Sequence, residues 1–407
     1  MSALELPHIA VVGPFVPAFP SSGSPTRTFC LCRELQGRFR FSLFAGLAFG
    51  QAEDSASLAC LDVFDKAQIV NMSARKRLPR ENAASRLLRL FWGSADAFRT
   101  FKALGQELQT RLSQTLEDLQ PQIIEFEEVL TSMWLIDRRP HCPILINAHN
   151  LLFVLARRSA SNRLSWRDRI RETIDTQKLT RQELSIYRAA DAVAVCSEIE
   201  KELLTGLLPK TRIEVVPNGV CTRYFGLQAE GDPERLLFTG KMDYGPNIDA
   251  LRFFAERILP IVRLTLPNIK FDVVGMCPGE EIYELGKLHN FLVHGNVPDI
   301  RPYFEAAGIL VAPLRLGAGT RLKILEALSL GRPVVSTRVG AEGLECIDGQ
   351  HLLLADNAVD FAASIIELTK DSGLRSTLRI NGRAFVEKQY DWAVLAPRLG
   401  NLYRALL

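Results

Sequence analysis

The sequence predicts an α/β protein built from two Rossmann-like, doubly wound domains, and three observations carry that prediction. Short apolar runs of strand length alternate with longer amphipathic segments along nearly the whole chain. The series restarts after "IEVVPNGVCTRYF", so the alternation is read twice. The 407 residues, 47% of them apolar, are enough for two cores of ordinary size.

Taken in order, "HIAVVG", "QIIEFEE", "PILINAH" and "AVAVCSE" read as buried strands of a first sheet. "TRTFCLCRELQ" and "RETIDTQKLTRQELSIYRAA" between them have helical spacing. In the second series "RLLFTGKM", "IKFDVVG", "FLVHGNV", "GILVAPL" and "PVVST" are strands, and "NIDALRFFAERILPIVRLTL" is a helix. The polar stretch "LQAEGDPER" marks the junction. The expected domains are 1–222 and 223–385, followed by a last segment, 386–407, that packs back toward the first domain. Two such domains leave a cleft where the carboxyl ends of both sheets face each other, the usual place for a ligand.

Composition excludes several classes. A formal charge of +3 is too small to imply nucleic acid. The eight cysteines never form C-x-x-C, which argues against zinc and for reduced thiols in a cytoplasmic protein. The opening "MSALELPHIAVVGPFVPAF" has no basic leader, and Gly13 and Pro14 break its apolar run, so it reads as a strand entering a loop. No apolar run approaches the roughly 18 residues of a membrane span.

The densest motif is "APLRLGAGTRLKILEALSLGRPVVSTRVGAEGLE". Gly317 and Gly319 flank Ala318 before Thr320, the expected N-cap of a helix over Arg321–Leu330, with Gly331 and Pro333 as stop signals. A glycine turn at a helix N-terminus suits an anion. The spacing fits neither the dinucleotide fingerprint nor a P-loop. Lys323 and Glu326 also form an i,i+3 pair, which a plain surface contact would explain equally.

The string resembles the donor-binding signature of retaining glycosyltransferases of family 4, which have the GT-B fold. Further matches follow in order: "FPSSGSPTRT", "VVPNGV", "FTGKMDYGPNIDAL", "VHGNVPDIRPYF", and the closing "YDWAVLAPRL", which resembles the family's crossover helix. The resemblance is dense over 215–345 and thinner over the N-terminal half. It implies that Glu326, second glutamate of the family's pair, bonds the nucleotide ribose. The first glutamate's place is taken by Ala318, so the Gly317–Thr320 turn is expected to contact the donor through its backbone. Lys241 stands where the family has a phosphate-binding arginine, and Pro246 replaces the lysine expected five positions later. Arg321 or Lys323 is then expected to supply the missing cation, because a diphosphate leaving group needs positive charge.

By the same resemblance Val297 meets the base, Gly23 lies in the glycine loop after the first strand, and His149 is the cleft histidine that contacts the donor sugar. On residues alone, His149 also reads as a satisfied strand-end histidine, Lys241 as a solvated surface lysine, and Gly23 as turn chemistry. Cys221, where an aspartate is common, is given no role.

The chain has no D-x-D, so a metal-independent enzyme without cofactor is expected, its substrate a UDP- or GDP-linked sugar. Retention of configuration is what the resemblance implies, with the leaving phosphate taking the acceptor proton. Two stretches are basic: "ARKRLPRENAASRLLRLFWGSADAFRTFK" has eight Lys/Arg against two acids, and "ARRSASNRLSWRDRIRETIDTQKLTR" eight against three. Either an anionic membrane surface or solvated helices with core-facing aromatics would account for them. The expected activity is transfer to a glycan or lipid-linked acceptor in extracellular polysaccharide assembly, with no nucleic-acid partner. The alternatives are a sugar-nucleotide epimerase, which would show additional carboxylates in the cleft, and a non-catalytic nucleotide- or glycan-binding partner.

Overall fold

The computed structural model describes residues 6–21, 23–47, 62–71, 106–134, 140–159, 166–317 and 320–407. The chain divides into two compact units: residues 1–217 with 395–407, and residues 218–394.

The sheet of the first unit contains β1 (His8–Gly13), β2 (Arg40–Leu47), β3 (Lys66–Asn71), β4 (Ile123–Glu127), β5 (Ile144–Asn147), β6 (Ala192–Val195) and β7 (Ile213–Val215). Its order is β3-β2-β1-β4-β5-β6-β7, every pairing parallel. Helices are needed to cross between parallel neighbours and so cover both faces. That is why "HIAVVG", "IIEFE" and "AVAV" are buried at every position. The core runs from Val12 and Phe44 through Phe126, Ile146 and Phe153 to Tyr187 and Val195. Glu183, in the helix Trp166–Ala189, accepts the backbone N–H groups of Leu152 and Phe153 at 2.9 and 2.8 Å. It thereby satisfies free donors at the start of the helix Leu152–Ser159.

The second sheet contains β8 (Asp232–Thr239), β9 (Lys270–Gly275), β10 (Phe291–Gly295), β11 (Ala307–Ala312), β12 (Val334–Ser336) and β13 (Leu353–Leu354). Its order is β10-β9-β8-β11-β12-β13, again parallel throughout. In each sheet the order reverses beside the unit's first strand, between β1 and β4 and between β8 and β11. Such a reversal opens a crevice at the carboxyl ends of the strands. Both units are thus Rossmann-like, as expected from the two alternating series.

Three local expectations differ from what is found. The helix expected over "NIDALRFFAERILPIVRLTL" is Gly245–Phe253, a π-turn at Phe254–Ile258, and Leu259–Thr265. Pro260 has no N–H to continue an α-helical ladder, and the wider turn precedes it. The junction falls after Pro217 and not in "LQAEGDPER", which lies inside the second unit. Val220 and Thr222 bond Tyr390 and Asp391 of that unit, the former N–H to carbonyl at 2.8 Å. The last helix is Trp392–Arg404, with Leu395 onward in the first unit. Among the described residues no helix is long and apolar enough to cross a membrane. The basic stretch 74–102 lies outside the described residues, as do 160–165 of the second one.

Candidate active site

In the second unit, functional side chains gather where β8 ends beside β11. Gly240 follows β8 at φ +148, and a Cβ on Gly275, at the end of β9, would collide with the Gly240 carbonyl. Only glycine permits both the backbone angle and that approach. Lys241 comes next, half exposed and 3.3 Å from Asp243. Its carbonyl accepts the side-chain N–H of buried Asn247 at 2.8 Å. Pro246, in the first turn of the helix Gly245–Phe253, brings no charge.

Lys323 reaches the same turn from a distant segment. Its ammonium donates to Asn247 Oδ1 at 3.0 Å, lies 3.7 Å from the centre of the Phe238 ring, and would stand 3.1 Å from a Cβ on Gly240. Burial, then Arg321, pull its pKa from 10.5 down to about 7, against the pull of Glu326. Burial pushes Glu326 up to about 7, while Lys323 opposes the rise. The i,i+3 pair is therefore partly buried, not the plain surface contact its spacing also allowed. Arg321 faces elsewhere: its guanidinium lies 2.6 Å from where a Cβ on Gly317, at φ +127, would be.

The helix is Leu322–Ser329, and its N-cap is Arg321 without a side-chain cap bond. Thr320 was the expected cap. Its buried hydroxyl instead makes no hydrogen bond among the described residues, and neither does that of Thr239 at the end of β8. Ala318 and Gly319 lie outside the described residues. Val297 follows β10 and is partly buried. Near it, Arg301 forks onto Asp299 with contacts of 2.7 to 3.0 Å and stacks on Tyr224 at 4.1 Å. Burial is the chief cause of the raised Tyr224 pKa, and Glu326 adds to it.

In the first unit Gly23 is the first residue of the helix Gly23–Leu35, and Ser24 donates to Glu128, just past β4, at 3.2 Å. His149 lies two residues past β5, with 4% of its surface exposed. Its Nε2 forms a short hydrogen bond with Glu127 Oε2. Burial and the Arg27 guanidinium hold its pKa down at about 3, so the ring is neutral.

The residues around it were not anticipated. Arg27, fully buried, donates to Asn147 Oδ1 at 3.0 Å, and Asn147 donates to Glu125 Oε1 at 3.0 Å. Glu125 and Glu127 sit two apart on β4 and so share a face. Two acids inside an otherwise apolar strand were the available signal in "IIEFEE". Among the described residues no group of three or more His, Cys, Asp or Glu is placed to hold a metal.

Comparison with known proteins agrees with this architecture. A model described as Glycosyltransferase Family 4 matches residues 22–224, and one described as Glycosyl transferases group 1 matches 233–371. An uncharacterized glycosyltransferase of Methanocaldococcus jannaschii is 28% identical over 53% of this chain and 59% of its own. The chain spans about half the length of the curated relatives it matches. Sucrose-phosphate synthase from Thermosynechococcus elongatus has a TM-score of 0.71 at 17% identity, over 98% of this chain and 99% of that one. The Anabaena protein HepE, solved with UDP, has a TM-score of 0.64 at 13% identity, over 98% and 100%. Two Rossmann-like sheets, each unit matched by its own glycosyltransferase model, assign the chain to the family-4-like glycosyltransferases of GT-B fold.

Proposed function

We propose that the chain is a retaining, metal-independent glycosyltransferase that moves a hexose from a UDP- or GDP-linked donor to a glycan or lipid-linked acceptor. The observation that carries this reading is Lys323 at the Gly240–Asn247 turn. A cation from a distant segment stands beside the helix start whose own lysine position is Pro246. Lys241, Lys323 and the helix N-terminus of Leu322–Ser329 then offer positive potential to a departing diphosphate, with Arg321 at the helix mouth. The hydroxyls of Thr239 and Thr320, without a hydrogen bond among the described residues, are suited to accompany it as donors. Glu326 takes the ribose, the Gly317–Thr320 turn the sugar or phosphate by its backbone, and Val297 the base. Gly23 and His149 serve the sugar and acceptor from the first unit. The UDP bound to HepE supports the nucleotide class. Work at the cytoplasmic side of polysaccharide assembly, with peripheral membrane contact, completes the proposal.

Incubation with UDP- and GDP-hexoses, polyprenyl-phosphate-linked or oligosaccharide acceptors, and EDTA tests it. The expected result is acceptor-dependent nucleotide release with the donor's anomeric configuration kept in the product, read by proton NMR. Inverted product or a strict metal requirement would contradict it. The epimerase reading gains from Glu125 and Glu127, two carboxylates beside His149, although each exposes only 1% of its surface. Nucleotide release without any acceptor would favour it.

A further inference from the structure

We propose that Glu127 is the positioning residue of His149: by holding Nε2 it leaves Nδ1 as the ring nitrogen that meets the sugar, and its own protonation decides whether that nitrogen donates or accepts. This rests on the sugar contact assigned to His149 above.

The geometry starts in the sheet. Glu127 on β4 lies opposite Asn147 on β5, and the chain turns so that His149 returns to the same face. Asn147 joins the two acids, with its N–H group 3.0 Å from Glu125 and 3.5 Å from Glu127. Tyr403 of the last helix donates to the other oxygen of Glu125. An imidazole has two nitrogens, and one is committed to Glu127, so only Nδ1 is left for a ligand.

Charge fixes the proton count. Two carboxylates face one guanidinium, that of Arg27, in a space closed to water. The other groups around them are Thr28 and Cys32 from the helix Gly23–Leu35, Glu128 past β4, Cys196 past β6, and Tyr403. Burial pushes both thiols and the phenol up, so all three stay neutral. Low dielectric disfavours a second negative charge, so burial raises both carboxyls, and the pair, doubly protonated at low pH, gives up one proton and keeps the other.

When Glu127 holds the proton, its O–H donates to Nε2, the ring proton sits on Nδ1, and Nδ1–H donates to a sugar oxygen. When the dyad loses one proton, the Glu127 proton passes to Nε2 and the Nδ1 proton departs. Nδ1 then accepts from a sugar hydroxyl.

The test is nitrogen NMR of the full-length chain with ¹⁵N-labelled histidine, six in all, with His149→Gln assigning the signal. The wild type is expected to change from the Nδ1–H to the Nε2–H tautomer as pH rises through the titration of the pair, staying neutral throughout. Glu127→Gln, which keeps the shape and cannot titrate, abolishes the change. Glu127→Asp, checked for native melting temperature like the first variant, retains a pH-dependent tautomer. With UDP- and GDP-hexoses, Glu127→Gln is expected to lower kcat by about 10- to 100-fold with little change in donor KM, the range seen when the carboxylate partner that orients a metal-binding histidine is lost. A wild-type tautomer that ignores pH, or one unchanged in Glu127→Gln, overturns the proposal while leaving the transferase reading intact. Full turnover by His149→Gln removes instead the sugar contact on which it rests.

Discussion

The proposed donor site rests most on Lys323, and its surroundings make its charge conditional. Its amine is mostly charged only below about pH 7, and on the proposed reading a bound diphosphate favours the charged form. Nucleotide affinity should therefore fall as pH rises through that value. Lys323→Met should lose affinity by about 10-fold at pH 6.5, about 1.4 kcal/mol, and lose most of the pH slope, as measured by calorimetry. In the free chain the sign is opposite. A folded pKa below the ordinary 10.5 means the unfolded chain binds more protons between about 7 and 10.5, so stability rises with pH there. Removing the ammonium should accordingly raise the melting temperature near neutrality, a trade of function against stability. At this scale the sequence supplied two candidate cations and no means of choosing. What distinguishes them in the structure is Asn247, 76 residues away along the chain, which accepts from the Lys323 ammonium. Arg27 and Asn147, 120 residues apart, were illegible for the same reason. Glu125 and Glu127 were visible as acids in an apolar strand, but that strand was read for its hydrophobic pattern alone.

Elements were more legible than contacts. Strands buried on both faces must be continuous apolar runs, and helices between them must carry one apolar face, so their existence follows from period and composition. What sequence did not supply was the break at Pro260 and the single-residue shift of the helix start to Leu322. Two glycines separate turn chemistry from packing. Gly275→Ala forces a methyl onto the Gly240 carbonyl and should cost about 3 kcal/mol, the upper part of the usual overpacking range. Gly245→Ala meets nothing within 4 Å at the first position of its helix and should be neutral or stabilising by about 0.5 kcal/mol. Glu183→Ala strips the acceptor from two backbone N–H groups and from the Tyr187 hydroxyl at 2.9 Å. It should cost about 2–4 kcal/mol, mostly from the two donors of the three that lie in buried bonds, the Phe153 N–H and the Tyr187 hydroxyl. Denaturant unfolding measures all three, and equal effects for the two glycines would contradict the close approach of β8 and β9.

For the whole molecule, the repeat of the strand–helix series announced two units, and the parallel order β3-β2-β1-β4 in one and β10-β9-β8-β11 in the other gives each a reversal point. That the last segment packs back toward the first domain was expected from its apolar face with no strand to follow, and from the resemblance, whereas the buried bond from Tyr403 to Glu125 was not foreseen. It links residues 278 apart, a separation that no local pattern encodes. Family membership follows from both units together, whereas donor, acceptor and linkage depend on the chemistry of particular side chains. The most direct measurement is calorimetric titration of the full chain with UDP and with GDP in EDTA, for the wild type, Lys323→Met and Glu326→Ala. One nucleotide is expected to bind at one site per chain without divalent metal, about 10-fold more weakly in each variant. Binding of neither nucleotide, or binding unchanged in both variants, would contradict the assignment of this site.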